Sequence, residues 1–232
     1  FFEAYILLIL DSIKKNNIDR AIEIISEVPD DYQQDRFNLI IINSLMEYLD
    51  VFKNRNIKSK KNNFGNFSLI SETFQRCYLD DKATDSFFSR LINNVEADYS
   101  RYIFFYLTYL LEKDNLDGAK SIVDDFSYIN STLLLSQGKS WIDRGQIQEF
   151  RKVFSCGNQN DIISEFLFLI SNLYSSQNKF EKSNFYLSLS NYLNPKFVFN
   201  LSLVAENLYL KKNYEKSKKI LKKFDKEQDF YY

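Results

Sequence analysis

An all-α fold of stacked helical hairpins is what this chain predicts, and three observations carry that prediction. Chemical types recur with a period of 34 residues inside the stretch 167–224. Outside it, apolar residues keep helical spacing, and no run alternates in the manner of a half-buried strand. Connections are short and breakers scarce, with only 5 Gly and 2 Pro in 232 residues.

The period is clearest in the last two units. Ser171, Tyr174, Phe180, Ser183, Leu187 and Pro195 mark one hairpin, and Ala205, Leu208, Tyr214, Ser217 and Leu221 repeat the same types in the same order. A small residue on the first helix (Ser171, Ala205) and another on the second (Ser183, Ser217) let the two helices approach closely. Tyr174 and Leu208, then Leu187 and Leu221, fill the space around that contact. Asn178-Lys179-Phe180 and Lys212-Asn213-Tyr214 make the turns, and Pro195 suits the first turn of the following helix because it lacks an amide hydrogen. One hairpin cannot cover its own apolar face, so units of this kind need neighbours.

This pattern resembles the tetratricopeptide repeat family, whose units are 34 residues long. Leu134, Gly138, Trp141, Gly145, Ile147 and Phe154 match a third unit, with Phe150 large at a normally small position. Ile103, Leu110, Leu116, Ala119 and Val123 match a fourth, with Leu107 replacing the small residue. Ile9, Ile18, Ala21, Ile25 and Pro29 outline another at the N-terminus. The resemblance implies a right-handed α-α superhelix, a solenoid treated as one domain over 1–232, degenerate over 1–97 and clearer over 98–227. It also implies a concave groove lined by first helices that holds a partner peptide or helix. Carried over unit by unit, the groove positions are Arg101, Phe104 and Thr108; Thr132, Leu135 and Lys139; Glu165, Phe168 and Asn172; and Phe199, Ser202, Glu206 and Tyr209. They mix aromatic and polar types, without the run of Lys and Arg that would clamp a carboxylate. A moderately apolar partner protein is therefore expected, with no cofactor and no metal.

The helices expected in order are Glu3–Lys15 and Ile18–Val28, turning at Asn16-Asn17, then one through Phe52 capped by Asp30-Asp31. The latter has a core face of Phe37, Ile40, Ile41, Ser44, Leu45 and Tyr48. Residues 53–66 form an irregular stretch with Lys53, Arg55, Lys58, Lys60 and Lys61 and no acid; it reads either as a solvated block or as an arm for an anionic surface. Modified hairpins follow at Ser68–Leu79 and Ala83–Asn93. Helices then span 98–113, 116–127, 131–144, 147–155, 160–177, 180–192, 196–211 and 214–227.

Composition narrows the function classes. Hydrophobic residues make up 45% and charged ones 26%, which suits a folded chain. Ala occurs six times while aromatics reach 17%, so these helices depend on packing more than on intrinsic propensity. A net charge of −1 argues against nucleic acid. The chain has no His, hence lacks the commonest general base and metal ligand. Gly138-Lys139-Ser140 ends like a phosphate-binding loop, but Leu133 stands where its first Gly belongs. Acidic pairs at 30–31, 80–81 and 124–125 read as caps, and Asn130-Ser131-Thr132 as a helix start. Cys77 and Cys156, far apart in sequence, read as two buried thiols. No segment is long and apolar enough to span a bilayer, and no signal peptide is visible. A start without Met and an unfinished last unit point to a piece of a longer protein, so cytoplasm and periplasm both stay open. The leading expectation is a noncatalytic interaction module. The alternatives are a helical accessory domain of a larger enzyme, such as a glycosyltransferase or cell-wall hydrolase, and a factor held weakly at a membrane surface through Lys53–Lys61 and the last basic helix.

Overall fold

The computed structural model describes residues 1–57, 64–93, 100–124 and 133–224. Among them are thirteen α-helices and no strand. In chain order these are α1 (Phe2–Lys14), α2 (Ile18–Ser26), α3 (Arg36–Asn54), α4 (Asn66–Leu79), α5 (Thr84–Ile92), α6 (Ser100–Glu112) and α7 (Leu116–Asp124). There follow α8 (Leu133–Asp143), α9 (Gln148–Val153), α10 (Gln159–Ser176), α11 (Phe180–Leu193), α12 (Leu201–Leu210) and α13 (Tyr214–Leu221). The all-helical expectation therefore holds.

Twelve of the helices pair into six hairpins, and all six turn alike. Asn16, Asp80, Asp114, Gly145, Asn178 and Lys212 each end a first helix with positive φ. In every case the next amide reaches back five residues, as in Asn17 N–H to Ser12 O, Asp81 N–H to Arg76 O and Asn213 N–H to Leu208 O. This is the left-handed helix stop, satisfying carbonyls that would otherwise be orphaned. Asn and Asp tolerate it better than other residues with a Cβ, and Gly best. From Asp80 onward these stops fall at 80, 114, 145, 178 and 212, spacings of 34, 31, 33 and 34. The backbone thus extends the period to α4–α5, where side-chain types alone gave only a modified hairpin.

Inside α10–α11 the predicted close approach is present and doubled. Ser171 Oγ donates to Ser183 O at 2.9 Å, and seven residues along, Ser164 Oγ donates to Ser190 O at 2.9 Å. The pairing 164–190 and 171–183 makes the two helices antiparallel. Each serine pair then receives an amide from the next unit: Asn200 Nδ2 donates to Ser190 Oγ at 2.9 Å and Asn207 Nδ2 to Ser183 Oγ at 2.7 Å. All six side chains are buried, so their mutual satisfaction is what makes burial tolerable. In α12–α13 the small pair meets too, Ser217 Oγ donating to Ala205 O at 2.8 Å.

The hairpins α6–α7 and α8–α9 pack differently. Phe150, 0% exposed, lies 5.1 Å from Phe104 in a stacked arrangement and 5.3 Å from Trp141 edge-on. Gly138 makes room for it, since a Cβ there would stand 3.1 Å from Phe104 and 3.4 Å from Phe150. The large residue at a small position is thus compensated by the smallest residue opposite.

Several expectations need correction. Asp35, not Asp30 or Asp31, caps α3, accepting from the amides of Phe37 and Asn38; Asp30–Gln34 is a 3-10 turn. Pro195 sits in a turn, followed by a 3-10 segment Val198–Asn200, and α12 begins only at Leu201. That irregular winding lets Phe197 and Phe199 both enter the aromatic core. Cys77 and Cys156 are not separate thiols but a disulfide, Cα–Cα 5.4 Å, linking α4 to the α9–α10 connection. Of the basic stretch, Lys53 pairs with Asp19 at 2.6 Å; residues 58–63 lie outside the described residues.

Packing is not confined to consecutive hairpins. α1 lies against α10 and α11, where Tyr192 donates to Asp11 at 3.0 Å and Gln159 to Asn16 at 2.8 Å. α10 also receives α3 through a stacked Phe37–Tyr174 pair, and α4 through Phe67 against Phe166. Helix α10 is therefore the hub of the molecule, which explains why nine of its residues are buried.

Candidate functional site

Around that hub, α3 and the first helices of five hairpins leave a cavity of about 1120 Å³. Its lining comes from α3, α4, α6, α8, α10 and α12, with Phe224 beyond α13. Most of the lining is apolar: Phe37 and Ile40 from α3, Phe67 and Ile70 from α4, Tyr102 from α6, and Leu133 and Leu134 from α8. Leu169 and Leu173 of α10 and Leu203 of α12 complete it. A volume at or above the usual range for small-ligand sites, with few polar groups, suits a bulky apolar occupant.

The deep polar feature is built on Arg101. Its guanidinium makes a two-pronged contact with Glu165, Nε to Oε1 at 2.7 Å and Nη2 to Oε2 at 2.5 Å. Nη2 also donates to Asn200 Oδ1 at 2.7 Å. The ring of Phe168 lies beneath the cation, 3.6 Å from its centroid. Burial holds the Glu165 carboxyl above its ordinary value, against the opposing pull of the Arg101 charge. Because Asn200 donates onward to Ser190, the serine–asparagine ladder of α10–α12 continues into the cavity wall.

Nearer the C-terminal end of α10 the lining becomes polar. Asn172 and Gln177 are exposed there, flanked by Arg36 on α3 and Glu206 on α12, also exposed. Ser202 turns its hydroxyl back to the Phe199 carbonyl at 2.7 Å.

Of the groove positions inferred from the repeat, the structure brings Arg101, Phe168, Asn172, Phe199, Ser202 and Glu206 to one cavity. It does not bring the others. Phe104 and Thr108 are 0% exposed, with the Thr108 hydroxyl donating to the Phe104 carbonyl; Leu135 is buried too. Glu165 is consumed by Arg101, and Lys139 donates to the Val123 carbonyl at 2.9 Å. Tyr209 is 61% exposed and packs on Tyr214, away from the cavity. Thr132 lies outside the described residues. Phe104, Thr108 and Leu135 fail because the aromatic packing of α6–α9 turns these first-helix side chains into the core. Sequence reasoning missed Arg36, Phe67 and Tyr102. Arg36 and Phe67 fall before the clear repeats, and no period points to them; Phe37 and Ile40 were visible only as a core face.

Compared with known proteins, the chain matches no family model, no curated protein and no solved structure. Among the described residues, no helix is long and apolar enough to cross a membrane.

Proposed function

We propose that the chain is a tetratricopeptide-like solenoid that acts without catalysis, holding an apolar segment of a partner protein in the central cavity. The observation that carries this reading is the cavity itself: about 1120 Å³, lined by α3 and the first helices of five hairpins, and rich in Phe and Leu. Its deep charges neutralise each other, Arg101 against Glu165, so the apolar walls dominate what binds. The lack of any His, and of a local motif that would activate a Ser or Cys, fits a binding role.

Filling the cavity tests this. Asn172→Trp combined with Ser202→Trp adds bulk at two lining positions outside the packed core. Partner capture by the wild-type chain should be lost with this variant while far-ultraviolet circular dichroism stays unchanged. If the same partner is retained at equal yield by the filled variant, the cavity is not where it binds.

A further inference from the structure

Resting on that reading, we infer that the cavity dictates the direction in which its partner lies, through one cation and one anion on opposite flanks of α10. Arg36 stands on α3 and Glu206 on α12; both line the cavity and both are exposed. Neither side chain forms a hydrogen bond or ion pair among the described residues, in contrast to Arg101, whose Nε and Nη2 engage Glu165 and Asn200. Helix α10 touches both flanks: Tyr174 stacks on Phe37 at 4.7 Å, next to Arg36, and Ser175 donates to Asn207 at 2.6 Å, next to Glu206. The neighbours of the two charges thus meet consecutive residues of α10, and Asn172 and Gln177 line the same cavity.

Such a rim is electrically dipolar. A partner segment whose apolar side chains fill the Phe- and Leu-lined interior gains most when a carboxylate faces Arg36 and an ammonium or guanidinium faces Glu206. The reversed segment meets two like-charge contacts instead. Complementary rim charges add little raw affinity but set orientation and partner choice. The partner is thus a polypeptide segment with an apolar stripe, acidic at one end and basic at the other.

Two terminally blocked synthetic peptides test this. They share one apolar stripe of Leu and Phe at helical spacing; one carries Glu before the stripe and Lys after it, the other the reverse. In fluorescence anisotropy at low salt, one peptide should bind the wild-type chain roughly fivefold more tightly than the other. The difference should shrink in high salt. Charge reversal of the rim, Arg36→Glu with Glu206→Lys, should invert the preference. Equal affinities in wild type, or a preference that the reversed rim leaves unchanged, would overturn the orientation while leaving the cavity reading intact. Binding of neither peptide to the wild-type chain would overturn both.

Discussion

The hairpins α10–α13 and α6–α9 solve one packing problem in two ways. In the first, helices are drawn together by hydroxyls: Ser164 with Ser190 and Ser171 with Ser183, each pair locked by an Asn from the next unit. In the second, they are propped apart by rings: Phe104, Trp141 and Phe150 around Gly138. The polar solution specifies register, because a one-residue slip strands six buried side chains without partners. The aromatic solution supplies buried area and tolerates drift, because ring against ring has many acceptable tilts. The two meet at Arg101, which holds Asn200 of the ladder and lies over rings belonging to the aromatic block.

That difference predicts how each region fails. Phe150→Ala should be the costliest change, about 3–5 kcal/mol in urea unfolding, because it removes a fully buried ring and leaves a cavity between Phe104 and Trp141. Phe150→Leu keeps most of the volume and should cost about 1.5 kcal/mol or less. If the two substitutions proved equal, volume would not be what the aromatic block supplies. Breaking the covalent tie between α4 and the α9–α10 connection comes next. Replacing Cys77 and Cys156 together by Ser removes a cross-link spanning 79 residues and should cost roughly 2–5 kcal/mol by the same measurement. Unreduced wild type and the double variant unfolding at the same urea concentration would mean the bond does not constrain the chain.

The ladder should respond more modestly and in a different pattern. Asn207→Ala strips partners from Ser183, Asn184 and Ser175, and should cost about 1–3 kcal/mol. Its signature is coupling: combined with Ser183→Ala, the loss should be clearly less than additive, since the second change removes the group that the first left unsatisfied. Strict additivity would show that these hydrogen bonds act independently and that no ladder exists.

The contrast also explains what was legible in the sequence. Small residues at a fixed spacing announce hairpins, and Ser171, Ser183, Ala205 and Ser217 meet as that spacing demands. The turns at Asn178 and Lys212 follow from the same period. Where bulky residues replaced small ones, at Leu107 and Phe150, the period still located the helices but not their rotation. Phe104 and Thr108, assigned to a groove, are core residues for that reason. Long-range events left no local trace: the packing of α1 on α10–α11, the disulfide, and the arrival of Arg36 and Phe67 at the cavity all depend on how distant segments meet. The 3-10 winding before α12 was equally invisible, because Pro195 fits a helix start and a turn alike.

The most selective effect concerns pH. Asp161 lies at the start of α10, beside the disulfide connection, and accepts the Ser155 amide at 3.0 Å. Burial pushes its carboxyl up to about 7; the Ser155 amide and Lys196 oppose the shift, and Glu112 reinforces it. Glu112, hydrogen-bonded to Ser155 and to the Cys156 amide, is raised by burial as well. An acid whose folded pKa exceeds its unfolded value holds a proton that the unfolded chain has already released. Stability is therefore fully favoured below the unfolded value near 3.8, falls as pH rises through that window, and levels off above about 7. The chain has no His, so no imidazole titrates between pH 5 and 8 to mask the effect. Asp161→Asn keeps an oxygen to accept the Ser155 amide but can carry no charge. Its melting temperature should thus exceed that of wild type most at pH 8, by less at pH 5, and converge with it only as pH approaches 3.8. Parallel profiles for the two proteins across that range would place the Asp161 carboxylate in water rather than in the connection between the aromatic block and the ladder.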